Sequence, residues 1–186
     1  MKKGFNGARI KDIAEAAGTN SALLNYYFRS KEKLFEIIMD ESIVAFFRGI
    51  MKIVNDRETT LSEKIDLLSN KYADMLTEQP ELPLFLLREK QANPDKFLTT
   101  LGISEDFLSE PYIWKQLKDR LEQDGKPVYD NIHYIWNILS ICVFPFLTVP
   151  VMSELLQNDE NRMKKLLQER RKSAPTWIKS MLGINE

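Results

Sequence analysis

The sequence contains a single cysteine, Cys142, and a single histidine, His133, among its 186 residues. One cysteine excludes a disulfide framework within the chain, and its apolar neighbours indicate a buried thiol in a reducing compartment. Glycine-rich phosphate loops, CxxC pairs and HExxH motifs are absent from the sequence. Neither residue lies in a motif that would give it a second metal ligand or a base, so we expect no enzyme activity, no metal and no cofactor. His133 is most simply a polar residue in a buried helix.

The sequence also lacks an uninterrupted apolar run of membrane-spanning character. Residues 1 to 8 contain no hydrophobic region of a signal peptide. Residues 131 to 153 carry no charged side chain, and this length alone would permit a membrane crossing. Polar side chains within the run and two prolines, Pro145 and Pro150, instead favour a buried helix of about 15 residues followed by a shorter piece. We therefore expect a cytoplasmic protein with no membrane partner.

Neither sign of charge dominates the whole chain, whose net charge is −1. The distribution is uneven, because residues 1 to 35 hold seven Lys or Arg against three Asp or Glu, or +4, which leaves −5 for the remainder. A basic end on an acidic body suits a chain that contacts a polyanion at one end, although a solvated surface helix can show the same bias.

What the sequence does contain is a helix-turn-helix pattern between Arg9 and Phe35. Apolar residues recur at helical spacing from Ile10 to Ala17, Gly18 interrupts that helix, and Asn20 can cap a second one. The buried face of the second helix is predicted to consist of Leu23, Leu24 and Phe28. Its remaining polar side chains are of the kinds that contact phosphates and base edges, which indicates DNA binding.

This stretch resembles the DNA-binding head of the TetR family of bacterial transcription regulators. The resemblance is close over about the first fifth of the chain and extends to the remainder only in general organisation. The matched residues are Gly4, Phe5, Ile13, Ala14, Ala17, Gly18, Leu24, Tyr27, Phe28, Ser30, Lys31, Glu32, Leu34 and Phe35. The resemblance implies an all-α fold, with a helix-turn-helix DNA-binding domain in residues 1–36 and a larger helical effector-binding and dimerisation domain in residues 37–186.

The matched positions also imply which residues contact double-stranded DNA. The expected set is Arg9, Lys11, Asn20, Ser21, Ala22, Asn25, Tyr26, Tyr27 and Lys31. Members of the second helix would face the major groove, whereas Tyr27 and Lys31 would contact phosphates. Ordinary solvation remains an alternative for each residue taken alone.

Three departures from the family pattern qualify this interpretation. The family has a full amphipathic helix before Gly4, so either the chain is truncated at its start or this helix has been lost. Ala8 stands where a threonine commonly caps the next helix and contacts a phosphate, and alanine can do neither through its side chain. Asn25 replaces a usual tyrosine and has a shorter reach. A dimeric ligand-binding or interaction protein that has lost DNA binding is therefore a second hypothesis.

The remainder of the sequence predicts a helical body. A helix from Ser30 to about Ile53 follows the head directly, and its buried side is predicted to consist of Leu34, Ile37, Ile38, Phe46 and Ile50. Thr60 and Glu63 have the spacing of a capping box that begins a helix ended by Pro80. Further helices are predicted at 84–91, within 96–108, and at 111–123 and 159–182, with Pro175 kinking or restarting the last.

Two further sets of residues follow from the family's organisation. A small apolar or amphipathic effector is expected among the central helices, with candidate residues Tyr72, Met75, Phe85, Arg88, Phe107, Tyr112, Trp114, Tyr134 and Asn137. A homodimer is expected through the apolar surplus of the last helices, with candidate residues Ile132, Ile135, Trp136, Leu139, Met163, Leu167, Trp177 and Ile178. The effector candidates can equally be plain core. The resulting hypothesis is a ligand-responsive repressor that binds a palindromic operator as a dimer.

Overall fold

A computed structural model of the chain describes residues 8–92, 97–101, 103, 107 and 109–184. The fold is all-α as expected, and the described ranges contain eleven α-helices and no strand. Within them, no helix combines the length and the apolar character that a membrane crossing requires. The question of a helix before Gly4 and Phe5 concerns residues outside these ranges.

The helices follow one another along the chain with short connections. Their bounds are α1 Ile10–Ala16, α2 Ser21–Phe28, α3 Lys31–Asn55, α4 Leu61–Glu78, α5 Leu82–Ala92, α6 Phe97–Thr100, α7 Tyr112–Gln123, α8 Asn131–Cys142, α9 Phe144–Leu147, α10 Val149–Leu155 and α11 Glu160–Met181. The chain divides within α3 into two compact units. We call them the head unit, which ends at Ala45, and the body unit, which begins at Phe46.

The head unit has a small apolar core made by α1, α2 and the first half of α3. Its buried side chains are Ala14, Leu24, Leu34, Met39 and Ile43. The prediction that Ile37 and Ile38 lie on the buried side of α3 was wrong, since they are 36% and 46% exposed. The buried stripe of α3 instead passes through Met39 and Ile43, one position further along, and continues into the body unit at Phe46 and Ile50.

The start of α4 confirms the predicted capping box. The Thr60 hydroxyl accepts a hydrogen bond from the Glu63 N–H at 3.2 Å, and the Glu63 carboxylate accepts one from the Thr60 N–H at 2.7 Å. Hydrogen bonds that the Thr60 N–H and hydroxyl donate to this carboxylate hold the pKa of Glu63 below its usual value. The fully buried Lys64 ties the preceding loop to the helix, because its ammonium donates to the Thr59 carbonyl oxygen at 2.8 Å.

The body unit is built around one large apolar core. Residues from the second half of α3 and from α4, α7, α8 and α11 meet there. Its most buried members are Ile65, Leu117 and Ile178, which are at most 2% exposed. This core fixes the relative positions of the helices that line the cavities described below.

The uncharged run after Asn131 folds differently from the prediction. The expected helix of about 15 residues is the 12-residue α8, and two short helices follow it instead of one piece. Pro145 and Pro150 lie in the first turns of α9 and α10, where a missing N–H leaves no helical bond unmade. His133 is exposed on α8 within the subunit. Pro175, by contrast, lies inside α11 and does not restart it.

Candidate functional site

The turn between α1 and α2 is closed by Gly18. Its φ of +64° lies in the left-handed region, where glycine avoids the steric cost of a Cβ atom. The Thr19 N–H donates to the Ala14 carbonyl oxygen at 2.9 Å, and the Gly18 N–H donates to the Glu15 carbonyl oxygen at 3.1 Å. This pair of bonds ends α1 and redirects the chain into α2.

Asn20 caps α2, as its position in the sequence predicts. Its side-chain oxygen accepts a hydrogen bond from the Leu23 N–H at 2.8 Å. The cap occupies the acceptor atom of a residue that is also a candidate for DNA contact. The side chain of Asn20 therefore stabilises the start of α2.

The outward side of α2 is polar and aromatic. Tyr26 and Tyr27 are 79% and 68% exposed, and their rings pack edge to face with centroids 5.3 Å apart. Ala22 and Asn25 are exposed, whereas Ser21 is half-buried. Rings held against each other lose less conformational freedom when they contact a partner.

Fewer apolar side chains of α2 are buried than predicted. Leu24 is 8% exposed and Phe28 is half-buried, in agreement with the prediction, but Leu23 is 45% exposed. Leu23 lies about 100° around the helix from Leu24, so a short α1 does not cover both side chains. The exposed surface of α2 accordingly contains one large apolar side chain.

A tight γ-turn joins α2 to α3, and no residue pattern indicated it beforehand. The Ser30 N–H donates to the Phe28 carbonyl oxygen at 2.8 Å, with Arg29 at φ +64° and ψ −41° between them. Such a conformation is costly for a residue with a Cβ atom. Arg29 is exposed at the end of α2, and it is a basic side chain that was not among the predicted DNA contacts.

The basic side chains among the candidate DNA contacts differ, because Lys31 is hydrogen-bonded within the head unit whereas Arg9 and Lys11 are exposed. Lys31 is half-buried, and its ammonium donates to the Ala8 carbonyl oxygen at 3.2 Å, just before α1. Arg9 and Lys11 are exposed at the start of α1. Arg9, the N-cap residue of α1, makes no side-chain cap bond. The bond from Lys31 to the Ala8 carbonyl oxygen therefore contributes to positioning the start of α1.

Three of the nine effector candidates line one cavity in the body unit. This central cavity has a volume of about 140 Å³ and is lined by Phe47, Ile50, Val54, Leu68, Tyr72, Phe107, Ile113, Trp114, Ile135, Ile138 and Leu139. The Trp114 Nε1–H donates to the Phe107 carbonyl oxygen at 3.1 Å. Burial raises the pKa of the Tyr72 hydroxyl, which keeps that group neutral.

The structure places the other effector candidates elsewhere. Arg88 and Asn137 are exposed, and the half-buried Met75 and Phe85 do not line the central cavity. Tyr112 packs against Arg57 and Lys64, with each cation about 5.5 Å from the ring centroid. Tyr134 is buried, and its hydroxyl accepts a hydrogen bond from the Tyr129 N–H at 2.9 Å.

A larger cavity in the body unit was not anticipated from the sequence. It has a volume of about 470 Å³ and is lined by Ser69, Ala73, Leu76, Thr77, Pro80, Ile141, Cys142, Phe146, Val149, Lys164, Leu167, Gln168, Arg170, Arg171 and Ala174. Cys142 is a buried thiol as predicted, and burial raises its pKa to about 11. None of the nine effector candidates lines this space.

The dimer candidates differ in how much surface they leave for a partner. Trp136 and Trp177 are exposed, and Ile132, Ile135, Leu139 and Leu167 are half-buried. Met163 and Ile178 are already buried within the subunit. Helices α9, α10 and α11 carry further exposed apolar side chains, namely Phe144, Val151, Met152, Leu155, Leu166 and Met181.

Comparison with known proteins agrees with the architecture of the head unit. The family described as bacterial regulatory proteins, tetR family, matches residues 1–38. Over its whole length the chain is 27% identical to the probable HTH-type transcriptional regulator YttP of Bacillus subtilis, covering 89% of that protein. The first 38 residues thus resemble the TetR family, and the chain over its whole length is similar to a helix-turn-helix transcriptional regulator.

Two further proteins are similar to this chain. The HTH-type transcriptional repressor NicS of Pseudomonas putida is 32% identical over 91 residues, which are 47% of this chain and 41% of NicS. The crystal structure of the TetR-family regulator PfmR from Thermus thermophilus aligns with a TM-score of 0.52 at 17% identity, covering 94% of this chain and 91% of PfmR. The second similarity concerns the fold alone.

These similarities support a DNA-binding transcription regulator of the helix-turn-helix type. TetR-family regulators act as dimers.

Proposed function

We propose that this chain is a TetR-family repressor that binds a palindromic operator as a homodimer and releases it when a small effector occupies the body unit. The observation that carries the proposal is the exposed face of α2, where Asn25, Tyr26 and Tyr27 stand outward on a helix fixed at both ends. Similarity to NicS, which is a repressor, supports the direction of the regulation.

The α2 face has the chemistry that DNA recognition needs. An amide such as Asn25 can donate and accept at an adenine edge in the major groove, and tyrosine hydroxyls can donate to phosphates. The basic residues Arg9, Lys11 and Arg29 are exposed in the same unit. We infer that Asn25 reads bases, while the tyrosines and basic groups fix the register on the backbone.

A dimer would present two such faces. Trp136 of α8 and Trp177 of α11 are large apolar side chains left exposed in the subunit, and burying them in a partner is favourable. Two copies related by a two-fold axis would place their recognition helices in successive major grooves about 34 Å apart. The operator should accordingly contain two inverted half-sites.

Effector control requires a path between the two units, and α3 provides a continuous one. It begins at Lys31, next to the recognition helix, and ends at Asn55 in the body unit. The Asn55 side-chain oxygen accepts a hydrogen bond from the Tyr112 N–H at 3.2 Å, which joins the end of α3 to the start of α7. Helix α7 also packs against α4, so a ligand that shifts either α4 or α7 would act on the end of α3.

Footprinting on the region upstream of the gene for this chain tests the proposal. We expect one protected site with two inverted half-sites about one helical turn apart, bound by two subunits and weakened by added salt. A chain that dimerises but gives no salt-sensitive protection at any concentration would contradict the proposal. That result would favour the second hypothesis, a helical ligand-binding or interaction protein without DNA binding.

A further inference from the structure

The 470 Å³ cavity of the body unit combines an apolar floor with a basic rim. Its floor is formed by side chains of α4, α8, α9, α10 and α11, including Ala73, Leu76, Phe146, Val149 and Leu167. Its rim contains three basic side chains, Lys164, Arg170 and Arg171. The volume lies within the range of about 300–1,000 Å³ typical of small-molecule sites.

The three basic side chains differ in their partners. Arg171 Nη1 lies 2.6 Å from Asp74 Oδ1, and Lys164 Nζ lies 3.8 Å from Glu160 Oε2. Arg170 has no carboxylate within ion-pair distance in the part of the chain that the structure describes. It is therefore the one rim cation whose charge is not balanced by an acidic neighbour there.

Arg170 is held in place by groups that carry no full charge. Its Nε and Nη2 donate to the Ile141 carbonyl oxygen at 3.2 and 3.1 Å, and its guanidinium carbon lies 5.1 Å from the centre of the Trp177 ring. Ile141 belongs to the last turn of α8, whose carbonyls carry a partial negative charge. These contacts fix the orientation of the guanidinium and leave other N–H groups available at the cavity rim.

Partial burial makes the missing counter-ion costly. Arg170 is half-buried, and desolvation lowers the pKa of its guanidinium, although an arginine keeps its charge at neutral pH. A charge removed from water is stabilised by an opposite charge with well-placed hydrogen bonds. A carboxylate can accept two N–H bonds from one guanidinium.

We propose that this cavity binds an amphipathic organic acid, with its carboxylate on Arg170 and its hydrocarbon body on the apolar floor. The assignment deepens the proposed function, on which its regulatory role rests, by naming the chemical class and the site of the effector. The central cavity near Tyr72 is smaller, and its lining contains no charged side chain among the described residues. It offers no partner for an acid.

Calorimetric titration of the full chain with dodecanoate and with its uncharged amide, dodecanamide, tests the site without DNA. We expect the acid to bind about 10- to 100-fold more tightly, since hydrogen bonds to charged groups are worth about 1.5–3 kcal/mol. Octanoate should bind more weakly than dodecanoate, by about fourfold for each missing methylene. Fluorescence of Trp177, which stacks on Arg170, should change with the acid, and a W177F variant should lose that change.

A pair of matched variants locates the acid within the rim. R170Q should lower dodecanoate affinity about tenfold or more and remove the preference for acid over amide. R171Q is the control, because Arg171 already pairs with Asp74, and it should change the affinity by less than about threefold. Melting temperatures of both variants establish that they are folded, and the comparison of acid and amide on the unmodified chain requires no variant.

Different outcomes of these experiments test the binding site and its regulatory role. Equal affinity for acid and amide, or unchanged dodecanoate affinity in a folded R170Q variant, would overturn the proposal. Failure of dodecanoate to bind the dimer would also overturn the proposal. That result would indicate that the partner subunit covers the cavity. Dodecanoate binding at Arg170 with no release of operator DNA would support the site and contradict the effector response of the proposed function.

Discussion

The head unit and the body unit of this chain differ in how their structure relates to function. In the head unit, a small core with five buried side chains among the described residues supports short helices whose outward residues are the proposed DNA contacts. In the body unit, a much larger core shapes cavities and an apolar surface from residues scattered over several helices. A local motif therefore identifies the function of the first unit, whereas the function of the second depends on packing between distant segments.

The two units should respond differently to mutation. A substitution on the outward face of α2 should change DNA binding and leave stability almost unchanged. A substitution in the body core should do the reverse. Four pairs of substitutions probe the packing and association of the two units, from the largest expected effect to the smallest.

Truncation of the body core should have the largest effect on stability. L117A removes a buried side chain of α7 and should lower the free energy of unfolding by about 2–5 kcal/mol. L67A removes an exposed leucine of α4 and is the matched control, with an expected loss below about 1 kcal/mol. Urea denaturation followed by circular dichroism measures both, and equal losses would contradict the assignment of the core.

Charge on the proposed dimer surface should affect association and not folding of the subunit. Trp136 is 57% exposed, so W136E leaves the body core intact but should weaken the dimer by about 2–4 kcal/mol, the range for interface hot spots. N137E adds the same charge at the next exposed position of α8 and is the control. Light scattering over a concentration series should show dissociation of W136E alone. An unchanged dimer would place the interface elsewhere.

Two adjacent leucines of α2 test the core of the head unit. L24A should destabilise the head unit by about 2 kcal/mol or more, because the side chain is 8% exposed. L23A removes a side chain that is 45% exposed and should cost much less. Hydrogen exchange of the α1 and α2 amides measures the local effect. Similar exchange in both variants would contradict the difference in burial between Leu23 and Leu24.

The γ-turn at Arg29 should produce the smallest effect. Glycine tolerates a φ of +64° better than alanine, so R29G should be about 1 kcal/mol more stable than R29A. Both variants remove the arginine charge, and their difference in stability therefore reports backbone strain alone. Hydrogen exchange of the α2 amides again provides the measurement. Equal stability would mean that the turn relaxes at no cost.

Local signals in the sequence predicted most of the helix ends. The Thr60 capping box, the Asn20 cap and the break at Gly18 each depend on bonds within about one turn of chain. Such bonds form between residues a few positions apart, so the sequence alone specifies them.

The sequence alone predicted less accurately which side of a helix is buried and how each proline is accommodated. Ile37 and Ile38 fit the helical period of α3, but which stripe is covered depends on the neighbouring helices. Pro145 and Pro150 begin short helices, while Pro175 is accommodated within a long one. The same residue type thus has opposite outcomes that tertiary packing decides.

The candidate sites show the same limit. Tyr72, Phe107 and Trp114 line the central cavity, but Arg170 and its cavity emerge only when α4, α8 and α11 are packed together. Whether a cation has a carboxylate partner is a property of three-dimensional proximity. No spacing along the chain distinguishes Arg170 from Arg171.

DNA affinity measured on matched duplexes tests most directly the claim that the exposed face of α2 reads DNA. Fluorescence anisotropy would compare the protected upstream site with a scrambled duplex of the same composition, for the unmodified chain, N25A and Y27A. We expect N25A to lose about 1–3 kcal/mol of discrimination between the duplexes, and Y27A to weaken binding to both without lowering the melting temperature. Equal binding of the unmodified chain to both duplexes, or no effect of either substitution, would contradict it.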